Sequence, residues 1–312
     1  METTHLHEHR QGSAQKLSAA LLSIFINLSL ITVEGIIAYL TGSLAVFADA
    51  AHSFFDLGAS LFAFWGVRMA ARPPDRSYPY GYDKFENISS LVQVIMIALI
   101  AVVIVGQVTF NLVNGYDLEV TNAAIIVIGI TVGVDFLAAR YIGSVAEAHH
   151  SYALEADAFH FTTDLWTKLA ALAGLLAARL GSEWVDPVAA LSVAGVMVYT
   201  ASRLGLRSTR VLLDTAPRSH LEEQVRAILE EEAGEQGYHS LRMRQSGKWV
   251  FLDVVLHMPN RLTLSEAHEK AHRVAGRLQS EIAEVRDAVV HVEPEDHPDG
   301  HDNDHYQDGL AE

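Results

Sequence analysis

The chain has 312 residues, half of them hydrophobic and 19% charged, against about 25% charged residues in an ordinary soluble domain. Its 38 acidic and 22 basic residues leave a formal net charge of −16, which excludes a nucleic-acid binder built on basic patches. There is no cysteine, so disulfides, thiolate metal sites and cysteine nucleophiles fall away together, and any metal met by the 16 histidines is held by nitrogen and oxygen.

The opening segment, residues 1–16, is polar and His-containing (His5, His7, His9) and lacks the basic, apolar and small-residue order of a cleaved signal, so the first span is read as retained. Six apolar blocks follow: Leu17–Leu40, Ser43–Ala70, Ile88–Leu112, Thr121–Tyr141, Ala153–Leu180 and Pro187–Leu206. Each reaches the roughly 20 residues that carry a helix across the hydrocarbon core. Spans two and five contain polar residues and are expected to face protein or water rather than lipid. Lys and Arg fix the orientation. Arg10, Lys16, Arg68, Arg72, Arg76, Lys84, Arg140, Arg203, Arg207 and Arg210 all fall on one side, and only Arg179 breaks the pattern. Both termini are therefore placed in the cytoplasm.

Beyond Leu213 the pattern becomes that of a soluble domain. His220–Glu235 reads as an amphipathic helix with Leu221, Val225, Ile228 and Leu229 inward. His239–Gln245 and Trp249–His257 read as strands joined at Ser246–Gly247. Leu264–Ile282 is a second helix, with Leu264, Ala267, Ala271, Val274 and Leu278 on its small or apolar face, and Asp287–Val292 a last strand. The expected class is an α-helical membrane protein of six transmembrane helices, followed by a small α+β domain of ferredoxin-like order α-β-β-α-β. The division is 1–16, an N-terminal tail; 17–208, the membrane domain; 209–294, the cytoplasmic domain; and 295–312, an acidic tail too polar to bury anything.

A repeated pattern carries the chemistry. Span two holds Asp49-x-x-His52-x-x-x-Asp56 and span five Asp157-x-x-His160-x-x-x-Asp164. Residues at i and i+4 share a helix face, so each His–Asp pair projects together, and two such helices offer two imidazoles and two carboxylates. That is a tetrahedral N/O set for a divalent ion such as zinc, whose charge the two carboxylates cancel. Emptied, the same set leaves two negative charges in the bilayer, so protons are expected to enter as metal leaves. A lone membrane histidine is commonly a packed, hydrogen-bonded residue; matched pairs on two spans are hard to obtain from packing needs. Asp49 and Asp157, one turn earlier, read equally as proton-relay groups behind the ligands or as local hydrogen-bonding residues.

These features resemble the cation diffusion facilitator family of metal/proton antiporters, from about Leu17 to Pro294. Thr41-Gly42-Ser43-Leu44-Ala45, Asp56-Leu57-Gly58-Ala59-Ser60 and Leu241-Arg242-x-Arg244-Gln245-Ser246-Gly247 strengthen the likeness. The resemblance implies a homodimer in a prokaryotic inner or plasma membrane that exports divalent metal against protons, with no organic cofactor. It implies that His52, Asp56, His160 and Asp164 form the transport site in its zinc-associated version; Fe2+, Mn2+, Co2+ and Cd2+ are the alternative cargoes. It also implies a cytoplasmic metal site at His239, His268, His291 and Glu293. There, Val255 replaces an expected histidine and His257 lies two residues on along the same strand face, which leaves room for one metal in place of two. His272 is a weaker candidate ligand.

Two further expectations come from the same resemblance. A peripheral metal site between spans two and three is expected to be missing, because Tyr78 and Tyr82 stand where histidines would be. Lys84 and Asp214 are the candidate pair for a charge interlock near the membrane boundary, with two independent surface charges as the alternative. Asn27, Glu34, Gln93, Gln107 and Asp135 are further polar residues within spans, and for Glu34 and Asp135 no partner can be named from sequence. His297, His301 and His305 read as weak metal capture or as solvated tail residues. The implied mechanism is alternating access, with the soluble domain sensing cytoplasmic metal. Two rivals are a membrane hydrolase using zinc-activated water, disfavoured because four ligands leave no open position, and a sensor or scaffold that binds metal without moving it.

Overall fold

The computed structural model describes the backbone of residues 2–41, 44–114, 122–179, 184–217, 219–234 and 237–295. The side chains of 2–11 and 40–52 are outside the described set, so Asp49, His52 and the N-terminal histidines are placed by backbone alone. Residues 296–312, with His297, His301 and His305, lie outside it altogether. Two compact units result, residues 1–209 and 210–312.

Six long helices build the first unit: α1 (Glu2–Thr41), α2 (Leu44–Ala70), α3 (Phe85–Asn114), α4 (Asn122–Ala148), α5 (Tyr152–Arg179) and α6 (Val185–Leu212). The polar N-terminal segment lies on α1, which begins at Glu2, and it contains no proline to interrupt the helix. Among the described residues, four segments are long and apolar enough to cross a membrane: Gly12–Ile36, Phe85–Phe110, Ile128–Ala148 and Pro187–Leu212. They lie in α1, α3, α4 and α6. The two remaining helices, α2 and α5, have similar lengths but carry the ionisable residues that lower their hydropathy.

Small residues let these helices approach closely, the packing mode favoured where lipid supplies no hydrophobic drive between them. Ala19 and Ala20 of α1, Ala138 and Ile142 of α4, and Ala153 and Phe161 of α5 share one buried cluster. Ile97 and Ala101 of α3 meet Ala194, Met197 and Ala201 of α6 in another. At Gly66 of α2 a Cβ would collide with Ser89 of α3, so glycine is required for that approach. Large apolar side chains such as Phe25, Phe54 and Leu137 point away from the bundle, as a lipid-facing surface demands.

The second unit contains α7 (Ser219–Ala233), β1 (Tyr238–Ser246), β2 (Trp249–Met258), α8 (Leu264–Glu281) and β3 (Val285–Pro294). The sheet order is β1-β2-β3, with β1–β2 antiparallel and β2–β3 parallel across the α8 crossover. Gly247 (φ 57°) opens the two-residue turn between Ser246 and Trp249, where a left-handed backbone is needed. On β2, Val250, Leu252, Val254, Leu256 and Met258 are buried, the period of two that puts one face on a core. Val225, Ile228 and Leu229 of α7 and Ala267, Val274 and Leu278 of α8 close that core. Leu264, expected on the same helix face, is 82% exposed. It follows the N-cap Thr263, whose capping box with Glu266 fixes the helix start, and the inward stripe begins at Ala267.

Candidate metal centre

Asp56 of α2 and His160 and Asp164 of α5 converge inside the first unit. Each offers a ligand atom, all within 4.8 Å of one another, and all three residues are buried. His160 Nε2 lies 3.0 Å from Asp56 Oδ1 and 3.7 Å from Asp164 Oδ2. The i, i+4 spacing brings His160 and Asp164 together on one helix, whereas Asp56 arrives through the packing of α2 against α5. Among the described residues this is the only group of three such donors with that convergence. His52 sits one turn before Asp56 on α2, with its side chain outside the described set.

Two carboxylates and an imidazole withdrawn from water form a strongly cation-seeking group. Zinc accepts such donors at about 2.0–2.2 Å, so ligand atoms within a few ångströms of one another need only small side-chain shifts to close on an ion.

Asp157 stands behind the three. It is fully buried, and its Oδ1 accepts from Ser60 Oγ at 3.1 Å while Ser60 Oγ accepts from Asn27 Nδ2 at 2.8 Å. Ser23 also bonds Ser60, so the network spans α1, α2 and α5. It holds the two site-bearing helices at a fixed spacing. Asp49 is located on α2 by backbone only.

Several residues of this unit gain partners that sequence spacing alone did not supply. Glu34 accepts from Ser53 Oγ at 2.6 Å, tying α1 to α2. Asp135 of α4 pairs with Lys168 of α5 at 2.7 Å. Lys168 was not among the residues singled out by sequence, although it lies four positions after Asp164 in an otherwise apolar stretch. Glu86 joins Lys16 and Ser151, linking α1, α3 and the start of α5.

In the α2–α3 connection Tyr82 donates to Asp75 Oδ2 at 2.6 Å, and the backbone N–H groups of Ser77 and Tyr78 donate to its Oδ1. Those bonds hold the Asp75 carboxyl below its ordinary value and push the Tyr82 phenol above its own. The Tyr78 and Tyr82 rings lie 4.4 Å apart. Phenols and their hydrogen bonds thus organise this loop at the two positions where histidine ligands were sought.

The cytoplasmic candidates divide between two faces. His239, His257, His291 and Glu293 surround Val255 on the face of the sheet opposite the core, because His239 and His291 both pair with Val255 and His257 pairs with Glu293. His239 Nδ1 is 2.9 Å from His257 Nε2. Glu293 lies 3.9 Å from His239 and 3.5 Å from His291. His268 is elsewhere, on the solvent side of α8, with its ring against that of His272 at 4.4 Å between centroids. Lys84 and Asp214 belong to different units; within its own, Asp214 lies 3.9 Å from Arg244.

Two family profiles cover the chain. One described as the cation efflux transmembrane domain matches residues 20–213, and one described as the cation efflux protein cytoplasmic domain matches 217–295. The chain belongs to the cation diffusion facilitator family. Members export divalent cations, so this protein is a membrane-embedded efflux transporter and not an enzyme. It is similar to the cation-efflux pump FieF of Shewanella oneidensis, 28% identical over 276 residues that cover 88% of this chain and 93% of that one. It is also similar to the manganese efflux system protein MneP of Bacillus subtilis, 26% identical over 282 residues, 88% of this chain and 95% of the other. A solved structure of CzrB overlaps 26% of this facilitator and 99% of its own length, at 28% identity and a TM-score of 0.24.

Proposed function

We propose that this facilitator exports Zn2+ in exchange for protons, with Asp56, His160 and Asp164 as ligands and His52 completing a tetrahedral set. The convergence of the first three donors carries this reading. Imidazole nitrogen favours zinc over manganese, which prefers sites made of oxygen alone. The name of MneP keeps manganese as the second cargo to test.

The charge balance sets the mechanism. Two carboxylates cancel the divalent ion while it is bound. When it leaves, the same carboxylates stand uncompensated in a low-dielectric bundle, and protons take its place. Imidazole, with an unperturbed pKa of about 6.5, accepts and loses a proton near working pH. Asp157, and Asp49 by its matching position, orient the ligand-bearing helices or relay these protons. Alternating access then requires the metal-loaded site to turn outward and the protonated site to turn back to the cytoplasm, where the protons leave before the next ion binds.

The protein works as a homodimer in a prokaryotic plasma membrane, with both termini in the cytoplasm. Residues 17–208 transport, and 209–294 dimerise and sense metal through His239, His257, His291 and Glu293, with His268 supplying a separate position. Purified protein in liposomes, with a metal-sensitive dye inside and an imposed pH gradient, tests the reading. Zinc flux that needs the gradient and exceeds manganese, iron, cobalt and cadmium flux is expected. Manganese preference overturns the cargo; binding without flux of any metal makes the protein a sensor.

A further inference from the structure

A largely buried ion pair joins α4 to α5 one helical turn beyond Asp164. The Asp135 side chain of α4 is 1% exposed, and its Oδ2 receives the Lys168 ammonium of α5 at 2.7 Å. Charges inside a membrane bundle are expensive to keep, and those that persist mark functional positions. Lys168 follows Asp164 by one helical turn, on the stripe of α5 that also presents Asp157 and His160. Its stem therefore starts beside a carboxylate of the centre. Through its bond to Lys168, Asp135 of α4 meets α5 one turn beyond Asp164. Asp56, Asp164 and Asp135 together with the Lys168 ammonium sum to −2, the charge that a divalent cation cancels, while Asp157 is hydrogen-bonded to Ser60 behind them.

We propose that Lys168 is a positioning residue of the transport site, a tethered cation restrained by Asp135 that sets how tightly the centre holds a divalent ion. This rests on Asp56, His160 and Asp164 being the ligands. With Lys168 gone, Asp135 becomes a further uncompensated carboxylate near the ion; binding tightens and release slows. With Asp135 gone, the ammonium turns its whole charge on the centre and its stem reaches Asp164; binding weakens. The two deletions move affinity in opposite directions, and the double deletion restores the sum of charges. A pair that merely braced α4 against α5 would make both single variants fail alike.

The test measures zinc flux against zinc concentration for the full-length protein in liposomes. Lys168→Met is expected to lower the apparent KM several-fold and to lower kcat with it, since release is slowed. Asp135→Asn is expected to raise KM by about tenfold or more, the scale of one unit charge acting on a divalent ion at short range in a low-dielectric site. The double variant falls between them, and Lys168→Arg recovers most of what Lys168→Met changes. Shifts of the same sign in the two single variants, or no rise in Asp135→Asn, overturn the proposal. Should Lys168→Met fail to fold, the double variant must still show a lower KM than Asp135→Asn. Asp164→Ala keeps the two claims apart. Full transport by that variant removes the ligand assignment itself, whereas its loss together with like-signed single variants removes only the role of Lys168.

Discussion

The two units differ in what accompanies the apolar side chains inside and in what they turn outward. In the membrane unit the fully buried side chains include Ser60, Gln93, Asp157 and His160, while Phe25, Phe54 and Leu137 face outward. In the soluble unit Leu229, Leu252, Leu256 and Leu278 are inside, and Arg277 binds Glu231, Glu232 and Glu281 at the surface. The same rule gives both results, because each unit turns outward what its surroundings solvate. A buried polar residue therefore means different things in the two places. In the soluble unit burial marks the apolar side chains that hold the fold; in the membrane unit it also marks polar side chains that tie helices together, as Ser53 does with Glu34, and the three converging donors Asp56, His160 and Asp164.

That contrast can be broken by substitution. The largest effect is expected at the polar centre of the membrane unit. His160→Ala or Asp164→Ala should cut zinc flux by at least about 100-fold, more than the loss of a group that only supports a ligand. Size-exclusion chromatography and circular dichroism should show an unaltered fold. A fold that collapses with either substitution would mean that the polar interior is structural.

Next in size is the apolar interior of the soluble unit. Leu256→Ala should destabilise that unit by about 2–5 kcal/mol in a denaturant titration. Phe54→Ala, on the outward face of α2, should change stability by less than about 0.5 kcal/mol. Comparable losses from the two would erase the contrast. Ser60→Ala comes between the extremes, since it removes the hydroxyl joining Asn27 to Asp157 and leaves buried groups without their partner. A loss of about 1–3 kcal/mol is expected, with zinc affinity lowered along with it.

The smallest effect lies at the exposed start of α8. The backbone and side chain of Thr263 both donate to Glu266 and hold its carboxyl below the ordinary value. For a carboxyl depressed by folding, the stabilisation is complete above the unfolded-state pKa and lost as pH falls through the folded one. Acid titration followed by NMR should place Glu266 below the ordinary glutamate value, and Thr263→Ala should move it back up.

How much was legible in the sequence follows the range of the interaction. The His160–Asp164 pair could be read because i, i+4 spacing is local to one helix. His257 was accessible for a similar reason, since the period of two puts it on the strand face of Val255, whereas His239, His291 and Glu293 were named by resemblance and meet there through the strand register. The junction of Asp135 with Lys168 was not, because nothing in either helix encodes which residue of a neighbouring helix it meets. The separation of His268 from the sheet histidines was hidden likewise: it depends on which side of the sheet α8 covers. Leu264 shows the limit even of local periodicity, since a residue at a helix start can have the right phase and still lie beyond the sheet it would pack on.

The central claim is that Asp56, His160 and Asp164 carry the transported ion. Crystals of the full-length protein loaded with zinc, measured on either side of the zinc absorption edge, test it most directly. An anomalous peak is expected about 2.0–2.2 Å from His160 nitrogen and from an oxygen of each carboxylate, lost in Asp164→Ala. A protein that transports zinc while its only anomalous peaks lie in the soluble unit would contradict it.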